Sequence, residues 1–194
     1  MNNHQSPTTG LRFPGEKDLW IFVLGDMITF TMFFVYFMYE RSLDVAGFQQ
    51  AHSHVSVGLG LVNSIILITS SWLVAVGLAY ARNQELAQAR SRFQMATALG
   101  LGFCILKIFE YISEVKSGFA VMGSGYFLSY FSFAGVHFIH VVIGIFSLRM
   151  IIKRLGEVSK LDGRDLLFIE STSVYWHMVD LLWIFLFLVL YLIR

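Results

Sequence analysis

Seven ionisable side chains interrupt long apolar stretches of this chain: Asp26, Lys107, Glu110, His137, His140, His177 and Asp180. A charge near the centre of a bilayer costs about 2.5–3.5 kcal/mol on insertion scales, so each needs a partner or a task. Three chemistries suit these residue types. His–Asp and Lys–Glu pairs can hold helices together. A carboxyl such as Asp26, with no partner near it in sequence, can carry a proton or meet a lipid headgroup. Histidines on two helices, His137 or His140 with His177, can ligate a b-type haem. Three of the pairs, Lys107/Glu110, His137/His140 and His177/Asp180, are spaced three apart, which places each pair on one face of a helix. No His-x-x-Glu-His or Glu-x-x-His pattern occurs, so no metal site is expected. No nucleophile elbow accompanies the serines, so no catalytic residue is assigned.

The elements that position these groups are membrane helices. Of 194 residues, 56% are hydrophobic and 14% charged, and the mean hydropathy is +0.66. Soluble domains are nearer 45–50% apolar and about 25% charged. A hydrocarbon core about 30 Å thick needs about 20 apolar residues in helical form. Five runs qualify: about 19–39, 57–80, 93–113, 127–152 and 170–192. The expected fold is all-α, a five-helix membrane bundle formed by residues 15–194, behind a flexible tail of residues 1–14. No cleavable signal peptide is expected. Strand-like alternation is absent, which argues against a β-barrel. Gly118, Gly123 and Gly125 crowd the front of the fourth run and delay its helix.

Basic residues set the expected orientation. With the N-terminus inside, the inner segments hold ten Lys and Arg, and the outer segments hold three. The N-terminus is therefore expected in the cytoplasm and the C-terminus in the periplasm of a bacterial inner membrane. Fourteen bases against 13 acids leave a charge of +1, too little to attract nucleic acid. The one cysteine, Cys104, builds no disulfide and no cysteine-based metal site. His52 and His54 fall in an outer connection, expected to be a solvated loop. Residues 82–92 form a short charged inner linker with helical propensity, suited to anionic headgroups.

By helical rise, Asp26, His140, His177 and Asp180 fall roughly 10–15 Å in from the inner side, with Lys107 and Glu110 further out. One buried polar layer shared by four helices is the resulting expectation. Gly144 continues the His137/His140 face and is expected to admit a neighbouring backbone. The small-residue faces of the second and third spans suit either a partner or a second copy of the chain.

Longer motifs add a resemblance. The run from Tyr175-Trp176-His177 through Asp180 to Trp183, with its aromatic end, resembles the last-helix signature of haem–copper oxidase subunit III. Gly135-Val136-His137-Phe138-Ile139-His140, continued to Gly144, resembles that family's Gly-x-His-x-x-His run. Asn63, the Ser70-Ser71 pair and Glu110-Tyr111 are similar to further family positions. Two features depart from the pattern. Gly25-Asp26 stands where the family usually has Ser-Glu, a carbodiimide-reactive carboxyl, and Lys107 stands where many oxidase members have Gln. With the Trp20–Met27 opening and five spans, the chain resembles the NorE-type accessory protein of nitric oxide reductase clusters. The resemblance implies a non-catalytic subunit with no haem or metal of its own. It implies bound phospholipid and, as partner, the catalytic subunit of nitric oxide reductase. The alternative partner is the catalytic subunit of a quinol or cytochrome c oxidase.

Overall fold

The computed structural model describes residues 15–52, 56–116 and 125–192. Residues 1–14, His54, Gly118 and Gly123 lie outside them. The described residues form six helices and no strand: α1 Lys17–Leu43, α2 Val45–His52, α3 Val57–Arg82, α4 Leu86–Lys116, α5 Gly125–Glu157 and α6 Gly163–Phe187, which runs on as a π-helical turn, Leu188–Leu192. Five helices are long and apolar enough to cross a membrane.

The helices extend past the apolar runs because helical hydrogen bonding does not stop at the hydrocarbon edge. α6 starts at Gly163, seven residues before the expected 170. Asp162 caps it, accepting from the backbone N–H of Arg164 (2.9 Å) and Asp165 (2.8 Å). Asp165 returns the favour to the Asp162 N–H, closing a capping box. α4 likewise begins at Leu86 rather than 93. The linker at residues 82–92 is mostly helix, as its helical propensity suggests, interrupted by a tight turn at Asn83–Glu85. The outer connection is also not all loop. Asp44 accepts from the Gly47 N–H at 2.9 Å and starts α2, whose Phe48 ring packs against Phe37.

α3 and α4 pack along small residues. The buried face of α3 runs Gly60, Asn63, Leu67, Ser70, Val74, Gly77 and Ala81, alternating three and four residues apart. Ser70 donates to the carbonyl of Ala96 across this seam, at 2.9 Å. α6 packs on α1, α3 and α5. At the short-turn end, Gln84 ties the α3–α4 turn to the α5–α6 connection. Its Oε1 accepts from the Leu161 N–H (2.9 Å) and its Nε2 donates to the Leu161 carbonyl (3.3 Å). Gln84 holds a left-handed backbone, φ +62°, to do so.

Candidate functional site

The structure distributes the seven ionisable residues over separate seams rather than one layer. The first seam joins α4, α5 and α6. Lys107, one hundredth exposed, is aimed inward by the α4 face that also buries Phe103 and Glu110. Its Nζ donates to Glu110 Oε2 (2.9 Å), Tyr130 Oη (2.9 Å) and Tyr191 Oη (2.6 Å). Tyr191 in turn donates to Glu110 Oε1 at 2.7 Å. The ammonium also lies 5.2 Å from the Trp183 ring centroid. The charge pair is thus enclosed by hydroxyls and π faces, which is what permits it at this depth. The π-helical turn presents Tyr191 to this cage.

Beside the cage, Trp183 Nε1 donates to Ser64 Oγ at 3.0 Å. His137 is fully buried between the Trp183 and Phe103 rings, at 5.4 and 6.0 Å between centroids. Among the described residues neither of its ring nitrogens has a hydrogen-bond partner, and neither polar atom of the buried Asn63 amide has one.

The second seam joins α1 to α5. His140 Nε2 lies 3.4 Å from Asp26 Oδ1, and its Nδ1 bonds the Val136 carbonyl at 2.8 Å. Asp26, unpaired in sequence, is therefore paired in space. Phe22 and Phe30 flank the imidazole, and Tyr175 donates to the His140 carbonyl at 3.1 Å. His137 and His140 thus do not serve one site. Residues three apart are offset by about 60° around a helix. Here that offset separates the bundle interior from the α1 seam.

The third seam joins α3 to α6. Ser71 Oγ lies 2.6 Å from His177 Nδ1, and Asp180 lies beside the same hydroxyl. Asp180 Oδ1 is buried and has no hydrogen-bond partner among the described residues.

The signature glycines differ in use. A Cβ on Gly144 would meet Trp176 Cε3 at 2.7 Å, and one on Gly100 would meet Trp176 Cη2 at 2.9 Å. Gly144 therefore makes room for an indole, not for a neighbouring backbone as expected. Gly135 has open space around it among the described residues, so it plays no packing part there. Among those residues no group of three or more His, Cys, Asp and Glu is arranged to hold a metal ion. Tyr130, Tyr191, Ser64 and Gly100 were not singled out from sequence. The signal available for the tyrosines was general: a phenol deep in a membrane helix needs a hydrogen-bond partner.

A family profile described as Cytochrome c oxidase subunit III matches residues 3–193. The chain belongs to the cytochrome c oxidase subunit III family. It is a multi-pass membrane protein. It is 28% identical to cytochrome c oxidase subunit 3 of Corynebacterium diphtheriae, over 90% of this chain and 85% of that one. It is also 28% identical to the cytochrome bo(3) ubiquinol oxidase subunit 3 of Buchnera aphidicola, over 89% of this chain and 88% of that one. A third relative, the heme-copper oxidase subunit I+III of Aeropyrum pernix, is 24% identical over 93% of this chain and 23% of its own. Cytochrome c and quinol oxidase subunits stand at the same identity, so the likeness reaches the subunit III family and not one electron donor. Within that family frame, the Tyr175–Trp183 motif supplies the indoles and imidazole of the α6 seams just described.

Proposed function

We propose that this chain is the non-catalytic subunit III of a terminal haem–copper oxidase in a bacterial inner membrane. It packs beside the catalytic subunit and sustains proton uptake, stability or assembly, with phospholipid bound at its surface. The match over residues 3–193 carries this reading. The fused relative, named as subunit I+III, supports contact with a catalytic subunit. The seams agree with a supporting role, since Lys107, Asp26 and His177 are each engaged with a neighbouring side chain. The three membrane histidines face different neighbours, which counts against a stand-alone histidine-ligated cytochrome. The excess of inner basic residues supports a cytoplasmic N-terminus and a periplasmic C-terminus.

A second reading is the NorE-type accessory protein of a nitric oxide reductase. The observation in its favour is Gly25-Asp26, a carboxyl on a shorter arm than the family's usual Ser-Glu. Mild-detergent purification from native membranes, with mass spectrometry of what accompanies the chain, separates the two. A haem–copper oxidase catalytic chain is the expected companion. A nitric oxide reductase catalytic chain would move the assignment to the second reading. Recovery of neither overturns both.

A further inference from the structure

α6 carries a polar stripe through an otherwise apolar stretch. Glu170, Ser173, His177 and Asp180 are spaced three, four and three residues apart, so they share one face of the helix. The stripe runs about 15 Å along the axis. It starts at the end of the bundle that holds the short α3–α4 turn. It ends within three residues of the midpoint of the span Gly163–Leu192. α3 meets it at two points. Arg82 Nη2 donates to Glu170 Oε1 at 2.9 Å, and Ser71 Oγ lies 2.6 Å from His177 Nδ1 deeper in. Ser173 is buried and stands between these points. Beyond Asp180 the same face continues as Ile184 and Phe187, so the stripe stops at the carboxyl.

That carboxyl is poorly compensated. Asp180 is hydrogen-bonded by the Ser71 hydroxyl, which it shares with His177. Its Oδ1 is buried with no hydrogen-bond partner among the described residues. Two other membrane carboxyls are placed differently. Glu110 accepts from the Lys107 ammonium, and Asp26 has the His140 imidazole at 3.4 Å. Between Val57 and Ala81, α3 contributes no Asp, Glu, Lys, Arg or His. Among the described residues no charged side chain of α1, α4 or α5 bears on Asp180 either. A carboxylate so placed is costly in hydrocarbon, and taking a proton removes the cost.

We propose that the α6 stripe is a dead-end proton path, in which Asp180 stores a proton that enters and leaves through the Ser71 hydroxyl and the His177 imidazole. A proton taken up at His177 Nε2 is released from Nδ1 to Ser71 Oγ. The hydroxyl passes its own hydrogen to the Asp180 carboxylate. The carboxyl ends as a neutral acid, and the imidazole ends neutral with its hydrogen on Nε2. Discharge runs the same steps backward. Glu170, with 17% of its side chain exposed beside Arg82, is the mouth. The path goes beyond the subunit III reading and is the same whichever catalytic chain accompanies this one.

The test is infrared difference spectroscopy of the full-length chain in lipid nanodiscs at neutral pH. The carbonyl stretch of a protonated carboxyl is expected. It moves when the aspartates carry isotopically heavy carbon in their side-chain carboxyls. It is lost in Asp180→Asn and persists in Asp26→Asn. Its shift on transfer to heavy water reports how fast the proton exchanges. Ser71→Ala is expected to slow that exchange about a hundredfold. Ser71→Thr, which keeps the hydroxyl, restores it. A band missing from the wild-type chain, unmoved by the label, or lost in Asp26→Asn and not in Asp180→Asn overturns the proposal. So does an exchange rate that Ser71→Ala leaves unchanged, which makes Ser71–His177 a structural contact only. The labelled wild-type chain carries no substitution, so a variant that fails to fold does not shield the proposal.

Discussion

α1 and the four helices α3–α6 bury their surfaces by different means. Only 11% of the most apolar window of α1 is buried, against 44% for α3 and 56% for α6 with its π-turn. α1 is held by rings: Phe33 stacks on Phe133 at 4.8 Å, Phe30 meets His140 edge-on, and Phe34 approaches Phe185. Its polar link to α5 is the 3.4 Å contact between Asp26 and His140. The four-helix body instead interlocks. Trp176 fills the space left by Gly100 and Gly144, Phe93 fills that beside Gly77, and Tyr191 lies against Gly60. The Lys107–Glu110 cage pins three helices at once. In a membrane, where burial of apolar surface drives little association, close packing and hydrogen bonds decide which helices cohere. α1 is thus an attached helix and α3–α6 the body that carries it.

Breaking the cage gives the largest expected effect. Glu110→Ala strands the Lys107 ammonium and is expected to cost about 3–5 kcal/mol, read as the unfolding midpoint in detergent. Replacing both partners, Lys107→Met with Glu110→Leu, recovers most of that loss. A single substitution as mild as one on α1 would erase the distinction between the two regions. Next comes the indole socket. Gly144→Val drives a side chain into Trp176, with a loss of about 1–3 kcal/mol. Trp176→Leu in the same chain relieves it, and Gly135→Val in open space is close to neutral. Gln84→Ala removes both hydrogen bonds to Leu161 and is expected to cost about 1 kcal/mol. Greater protease sensitivity at the α5–α6 connection would accompany it. The smallest effect is on α1. A double-mutant cycle of Asp26→Ala with His140→Ala is expected to give a coupling of about 0.6 kcal/mol. Asp26→Ala should leave the haem content of the partner complex unchanged and lower its turnover. Loss of haem would point instead to a role in assembly.

The five spans were legible because hydropathy over 20 residues is a property of the local sequence. So was the Lys107–Glu110 pair, because a three-residue spacing suffices to bring the two together. The ends of α4 and α6 were less legible, since polar first turns look like linker until Asp162 is recognised as a cap. Helix α2 was missed because eight residues between two spans carry little periodicity. Its one local sign was Asp44 three residues before Gly47.

The pattern of residues by itself determined the all-helical architecture, the number of spans and the family. Only the tertiary structure decided which groups meet. A helix apolar on every side carries no mark of its own rotation. His137 therefore turns inward under Trp183, and His140 three residues later turns to Asp26. Besides Glu110, the partners of Lys107 lie 23 and 84 residues away, at Tyr130 and Tyr191. A π-turn that no local preference announced delivers the second of them.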